Sequence, residues 1–163
     1  KDLPGDNEAK AETIDNNLQH EIVKKMSSNP VYYGKLSEML KKIIMQRKVA
    51  AMSYQEYLKQ VVEMAEAILH PEDNGDYPDE VKNSAARRAL FDYFEEDLEL
   101  TVDVDGAIRI AIRPAWKKNR QKQQKIRLAI YEKLLLHSYC KDKAEEETNQ
   151  VFDIAQRQEE YDA

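Results

Sequence analysis

Few residues in this chain can interrupt a helix, and that shortage constrains the fold more than any other feature of the sequence. The 163 residues include 4 Gly and 5 Pro. Long stretches without these residues favour helices over a loop-rich β fold. A chain of this length can form one domain and bury a core without disulfides or metals. We therefore predict a single all-α domain over residues 1–163, a compact irregular bundle of about six helices.

Apolar residues recur every three or four positions in several segments, as the buried face of a helix requires. Two helix starts are clearly marked: Asn29 is followed by Pro30, and Ser53 is followed three residues later by Glu56. The charged segment 137–147 is predicted to be a connector before a short last helix. The predicted helices begin near residues 6, 29, 53, 83, 119 and 146.

Residues 98–113 fit two different structures. Asp105-Gly106 lies between alternating apolar residues, and this dipeptide favours a tight hairpin turn. The same segment fits a helix with four apolar residues facing inward: Leu98, Val102, Ile108 and Ile112. Propensity favours the hairpin, whereas an isolated two-stranded ribbon is only marginally stable, so both structures stay open on the residues alone.

Positive charge is concentrated in one segment of an acidic chain. The net charge is -6, yet residues 109–133 hold nine basic side chains and one acid, which leaves fourteen net negative charges elsewhere. Such a segment creates a local field that attracts polyanions. We predict sequence-independent contacts with DNA phosphates, and neutralising about five phosphates would give a slope of log K against log salt near -4.5. The predicted contact residues are Arg109, Arg113, Lys117, Lys118, Arg120, Lys122, Lys125 and Arg127.

Signals for catalysis are weak. The sequence has no P-loop and no HExxH motif, and its three histidines, His20, His70 and His137, are far apart. Residues 78–82, PDEVK, resemble the metal-binding motif of one nuclease superfamily, but the elements run together without strands to separate them. We interpret the match as a coincidence and predict no catalytic residue and no metal site.

The expected setting is the cytoplasm, without a membrane partner. A single cysteine, Cys140, cannot form an intrachain disulfide, which is typical of a reducing compartment. No apolar run approaches the length needed to span a bilayer. Because the sequence begins without Met, we expect it to be a piece excised from a larger protein.

Five segments together resemble one family, the C-terminal part of the R (HsdR) subunit of type I restriction enzymes. They occur in the family's order and cover most of the chain. The segments are residues 4–17 (PGDNEAKAETIDNN), 29–44 with 53–65 (NPVYYGKLSEMLKKII with SYQEYLKQVVEMA), 84–94 (SAARRALFDYF), 105–135 (DGAIRIAIRPAWKKNRQKQQKIRLAIYEKLL) and 151–161 (VFDIAQRQEEY).

The resemblance implies a part of an ATP-driven DNA translocase and endonuclease that works on a methyltransferase core of M and S subunits. The nuclease and motor domains would precede this region, so ATP and Mg²⁺ belong to the parent subunit and no cofactor is expected here. The implied partners are the methyltransferase core and double-stranded DNA, and Trp116 and Asn119 are implied motif positions. The family pattern is helical over residues 98–113, which we adopt, with a kink or short hairpin at Asp105-Gly106 as the alternative. The alternative function is a protein-interaction domain whose basic helix binds an acidic partner surface.

Overall fold

The computed structural model describes residues 4–163, and every regular element in that range is helical. The all-α prediction is therefore confirmed. The predicted count of about six is too low, because residues 4–163 form seven helices of at least nine residues and two single-turn helices. Contacts divide the chain into two compact units, one up to Asp76 and one from Tyr77 onward. That the whole chain is one domain stays a prediction.

The first unit consists of three long helices and one short one. These are α1 Pro4–Lys25, α2 Pro30–Lys48, α3 Tyr54–Leu69 and the single turn α4 Pro71–Asn74. The three long helices pack against one another in pairs and enclose an apolar core. Met39 of α2 lies at helical spacing from the buried Leu36, which predicts an inward position, but it is 52 % exposed.

Both predicted helix starts of the first unit are confirmed. The Asn29 side chain accepts a hydrogen bond from the backbone N–H of Tyr32 at 3.1 Å, with Pro30 as the first helical residue. The Ser53 hydroxyl accepts from the N–H of Glu56, whose carboxylate accepts from the N–H of Ser53. Each cap satisfies backbone donors that a helix cannot pair by itself.

A buried aspartate joins the helices of the first unit. Asp15 accepts a hydrogen bond from the hydroxyl of Tyr57 at 2.7 Å and from the guanidinium of Arg47 at 2.6 Å. The Arg47 guanidinium also lies over the Tyr57 ring, 5.3 Å from its centroid. Burial and the hydrogen bond to Asp15 together raise the pKa of Tyr57. The charge of Asp15 is thus paired inside the unit rather than left bare.

The second unit contains five helices and two 3₁₀ turns. The helices are α5 Asp79–Lys82, α6 Ala85–Tyr93, α7 Leu98–Ala111, α8 Arg120–Leu136 and α9 Lys141–Gln156, and the turns are Trp116–Lys118 and Glu159–Tyr161. Helix α8 packs between α7 and α9, and α6 packs on α7 and α9. Ile126, Ile130 and Leu134 recur every four residues, a spacing that predicts one buried face of a helix. All three are fully buried in α8, which confirms that inward face.

The hairpin alternative for residues 98–113 is wrong. Helix α7 continues from Leu98 to Ala111 through both Asp105 and Gly106, and the Asp97 side chain caps it by accepting from the N–H of Leu100 at 3.0 Å. A mid-helix glycine costs roughly 1 kcal/mol relative to alanine. The packing of α7 against α6 and α8 offsets that cost, which local propensity does not include.

Asp105 is fully buried in α7, whereas the hairpin alternative placed it in a turn. Its carboxylate accepts hydrogen bonds from Arg87 Nε at 2.7 Å, from Arg109 Nε at 2.9 Å and from the Tyr161 hydroxyl at 2.7 Å. Burial opposes ionisation, but the bonds from Arg109, Tyr161 and Arg87 outweigh it and hold the pKa of Asp105 below its usual value. Glu160 adds a second carboxylate, bonded to Arg109 at 2.9 Å. We call these five residues the Asp105 cluster.

The charged segment 137–147 is not a connector beyond residue 140. Helix α9 begins at Lys141, five residues before the predicted start, because the acidic residues of its first turns lie on the solvent side. Ala144, Thr148, Val151 and Phe152 form its buried face. A dense charge run can thus be the outer face of an amphipathic helix.

Candidate functional site

A buried tryptophan holds the turn that precedes α8. Trp116 is 1 % exposed, and its Nε1 donates a hydrogen bond to the backbone carbonyl of Tyr161 at 2.7 Å. Its ring meets the Phe152 ring edge-on, with 5.9 Å between the centroids. Because this hydrogen bond and this ring contact fix the indole, the next two residues, Lys117 and Lys118, are held at the N-terminus of α8.

Asn119 then caps α8. Its side-chain oxygen accepts a hydrogen bond from the backbone N–H of Lys122 at 3.0 Å. The remaining unpaired N–H groups of the first turn make this end of the helix partly positive. The two residues that the resemblance singled out therefore have structural tasks: Trp116 anchors the turn and Asn119 starts the helix.

A shallow cleft of about 660 Å³ opens where the turn and α8 meet α9. Its lining contains four cations and three side-chain amides, and no carboxylate is among the described side chains that line it. We call it the cationic cleft, lined by Lys117, Lys118, Arg120, Gln123, Gln124, Arg127 and Asn149. Every polar side chain around it can donate a hydrogen bond, which is the chemistry an anion requires.

Arg127 is held in position within the cationic cleft. Its Nη1 donates to the Asn149 side-chain oxygen at 2.6 Å, and its guanidinium lies over the buried Phe152 ring, 3.9 Å from the centroid. A guanidinium has five N–H donors, so most remain available after this one bond. A stacked, oriented arginine loses little further freedom when it binds an anion.

Lys118 and Arg120 are exposed at the mouth of the cleft. Neither forms an ion pair with any carboxylate among residues 4–163. Their charges therefore stay available to a ligand, and the partly positive N-terminus of α8 adds to their field.

Lys117 is partly occupied by the protein itself. Its ammonium donates to the backbone carbonyl of Gln158 at 2.9 Å and forms an ion pair with Asp162. The ammonium also lies 5.7 Å from the centroid of the Trp116 ring. Its charge is consequently less available than those of Lys118 and Arg120.

The other four predicted contact residues lie outside the cleft lining. Arg109 belongs to the Asp105 cluster, and the side chain of Arg113 donates to the carbonyls of Ile110 and Ile112 at 2.7 Å each. The Lys122 ammonium donates to the carbonyl of Pro114. Lys125 is exposed on the flank of α8 that faces away from Arg127.

Sequence reasoning missed three residues of the cleft. Gln123 and Gln124 were visible as amides inside the basic helix, and their helical spacing from Arg120 and Arg127 was a usable signal. Asn149 carries no such signal, because it comes from α9 and meets α8 only through tertiary packing.

Two other clusters with possible chemistry lie outside the cleft. Asp79 and Glu80 of the nuclease-like PDEVK match lie exposed in the single-turn helix α5, and no strand occurs among residues 4–163 to separate such a motif. Ligand atoms of His70, Glu72 and Asp73 lie within 4.8 Å of one another at the protein surface. Clusters of surface acids are common without a metal, and we assign no site to either.

Comparisons with known proteins identify no family. Searches against protein-family models, curated proteins and solved structures each returned no match. Among residues 4–163, no helix combines the length and the apolar character that crossing a bilayer requires.

Proposed function

We propose that the chain is the non-catalytic C-terminal domain of a type I restriction enzyme R subunit, which contacts DNA without sequence preference and helps assembly with the methyltransferase core. The cationic cleft carries the DNA part of this proposal. Four cations and three amide side chains converge there without an opposing carboxylate in the described lining. The assembly part comes from the family resemblance.

The geometry of the cleft fits a phosphate better than a base edge. Arg127, Arg120 and Lys118 supply full positive charges, and phosphate contacts position a protein on nucleic acid without reading sequence. With three available cations, the slope of log K against log salt would be about -2.7 for duplex DNA. That is shallower than the slope near -4.5 expected from the sequence, because the cleft offers three available cations rather than five. The other predicted contact residues bond to groups of the protein itself or lie outside the cleft lining.

A charge reversal with a matched control tests the DNA contact. We expect Lys118→Glu combined with Arg120→Glu to lower duplex affinity about tenfold or more at low salt and to flatten the salt slope, since two of about three phosphate contacts are lost. The control is Lys24→Glu combined with Lys35→Glu, which changes the net charge equally at two exposed lysines of the first unit. Fluorescence anisotropy with a labelled duplex measures both. Equal affinity for the two variants across salt concentrations would remove the DNA contact from the proposal.

The same variants distinguish the protein-interaction alternative. If the basic helix binds an acidic surface of the partner, the cleft reversal should weaken salt-sensitive pull-down by the methyltransferase core while free duplex is bound by neither wild type nor variant. Binding of free duplex by the wild-type chain, lost on reversal, favours DNA contact instead. ATP and Mg²⁺ belong, in this proposal, to the motor and nuclease parts of the parent subunit in the cytoplasm.

A further inference from the structure

A second depression extends the cationic cleft along the same two helices. It shares Gln124, Arg127 and Asn149 with the cleft and has a volume of about 380 Å³. Its other lining residues are Leu128, Tyr131, Glu145 and Thr148. We call this depression the side notch. Because Arg127 borders both, the cleft and the notch are two parts of one groove between α8 and α9.

The side notch differs chemically from the cleft. Leu128 is 55 % exposed, and the partly buried Tyr131 lines the notch while packing against the apolar core, so the notch offers apolar and aromatic surface. An aromatic ring that is anchored on one side and open on the other is the usual platform for stacking an unpaired base. Amides from Gln124 and Asn149 on the rim can meet the polar edge of such a base.

Thr148 supplies an independent observation. The residue is 6 % exposed, and its hydroxyl is a buried polar atom without a hydrogen-bond partner among residues 4–163. Buried hydroxyls are nearly always hydrogen-bonded, so this one, on a residue that lines the notch, is a donor that residues 4–163 of the free protein leave unused.

The groove is also electrically polarised. The cleft end carries Lys118 and Arg120, whereas the notch end carries the carboxylate of Glu145. A phosphate is attracted to the first end and repelled from the second. Arg127 and Tyr131 are one helical turn apart, about 6 Å along α8, a distance that a sugar can bridge.

We propose that this groove binds one nucleotide of single-stranded DNA, with its phosphate at Arg127 in the cationic cleft and its unpaired base against Tyr131 in the side notch. The inference rests on the proposed function for its phosphate half and adds the strand preference. In a duplex the bases are stacked inside the helix, so a base can enter the notch only after it has left the stack. The groove therefore selects single strands, or a strand separated from its partner, over intact duplex.

Three labelled probes of equal length test this preference on the whole chain by anisotropy: a single strand, a duplex, and an abasic strand that keeps every phosphate but lacks bases. We expect the single strand to bind about fivefold or more tightly than the abasic strand, the low end of what stacking one base contributes. Equal affinity for the single strand and the abasic strand overturns the inference, and this comparison needs no variant.

Variants of Tyr131 provide the second measurement. We expect Tyr131→Leu, which keeps apolar volume but removes the ring, to lower single-strand affinity about fivefold or more and to leave abasic-strand affinity unchanged. Tyr131→Phe keeps the ring and should retain single-strand binding. If Tyr131→Leu binds the single strand as wild type does while the Lys118 and Arg120 reversal abolishes binding, the notch role is wrong and the phosphate contact stands. If the wild-type chain binds none of the three probes, the proposed DNA contact itself fails.

Discussion

Two groups of basic side chains in the second unit have opposite surroundings. Arg87 and Arg109 surround the buried carboxylate of Asp105, whereas Lys118 and Arg120 stand beside amides in the cationic cleft with no carboxylate bonded to them among residues 4–163. The first group stabilises the fold by satisfying a buried charge. The second group leaves its charge available to a ligand. Counting basic residues along a chain cannot separate these two uses.

The first unit repeats the structural use of an arginine. Asp15 accepts from Tyr57 and Arg47 much as Asp105 accepts from Tyr161 and Arg109. In both places the guanidinium also lies over the tyrosine ring, at 5.3 Å in the first unit and 5.2 Å in the second. The same local solution to burying an aspartate thus occurs in each unit.

The largest expected effect is on stability, from removal of the central carboxylate of the Asp105 cluster. Asp105→Ala should lower the free energy of unfolding by about 3 kcal/mol, because two arginines lose a buried partner while they remain partly exposed to water. Arg120→Ala should change it by no more than about 0.5 kcal/mol. Urea denaturation measures both.

The same two residues should rank in the opposite order for their effect on DNA affinity. At a temperature where both variants are folded, Arg120→Ala should weaken DNA binding and Asp105→Ala should not. If Asp105→Ala lost as much DNA affinity as Arg120→Ala, the two groups of basic side chains would not have separate roles in stability and binding.

A smaller effect is expected from acid. The pKa of Asp105 and that of Glu160 both lie below their usual values; burial opposes this in each case, and hydrogen bonds outweigh it. A lowered folded-state pKa contributes stability above the unfolded-state value, about 4, and that stability disappears as the pH falls through the folded-state values. The unfolding free energy should therefore decline below about pH 4.

The variant Asp105→Asn tests the source of this acid sensitivity. At neutral pH this variant should have a lower unfolding free energy than wild type. Its unfolding free energy should then fall less as the pH is lowered below 5, whereas Arg120→Gln should follow the wild-type curve. A wild-type pH profile that Asp105→Asn leaves unaltered would show that other carboxylates cause the loss.

The smallest expected change is a gain in stability at the side notch. Thr148→Val replaces an unpaired buried hydroxyl with a methyl group of similar size, and it should raise the unfolding free energy by about 1 kcal/mol. If a ligand satisfies that hydroxyl, the same variant should bind single-stranded DNA more weakly. Thermal unfolding with and without the oligonucleotide measures both, and a loss of stability would mean that the hydroxyl is already satisfied in the free protein.

Local sequence signals predicted much of the fold. Asn29 and Ser53 cap their helices as expected, since a cap depends on residues that are neighbours in the chain. Ile126, Ile130 and Leu134 are buried as their spacing predicted. At Asp105-Gly106 the turn dipeptide favoured a hairpin, but the helix adopted from the family pattern is the observed structure. In segment 137–147 the predicted connector was wrong, because the charge run is the outer face of a helix that begins at Lys141.

The sequence by itself determined a mainly helical chain with a basic helix, because helix formation and amphipathic spacing depend on residues at most four positions apart. Only the tertiary structure decided which basic residues remain available. Arg109 pairs with Asp105 inside α7, but Asp105 is buried there only by packing, and the second partner, Glu160, lies 51 residues away. Arg127 is oriented by Asn149 and Phe152, which belong to another helix. Electrostatic pairing depends on distance in space. Which basic side chains lie beside a carboxylate, as in the Asp105 cluster, and which do not, as in the cationic cleft, is therefore decided only when the helices pack.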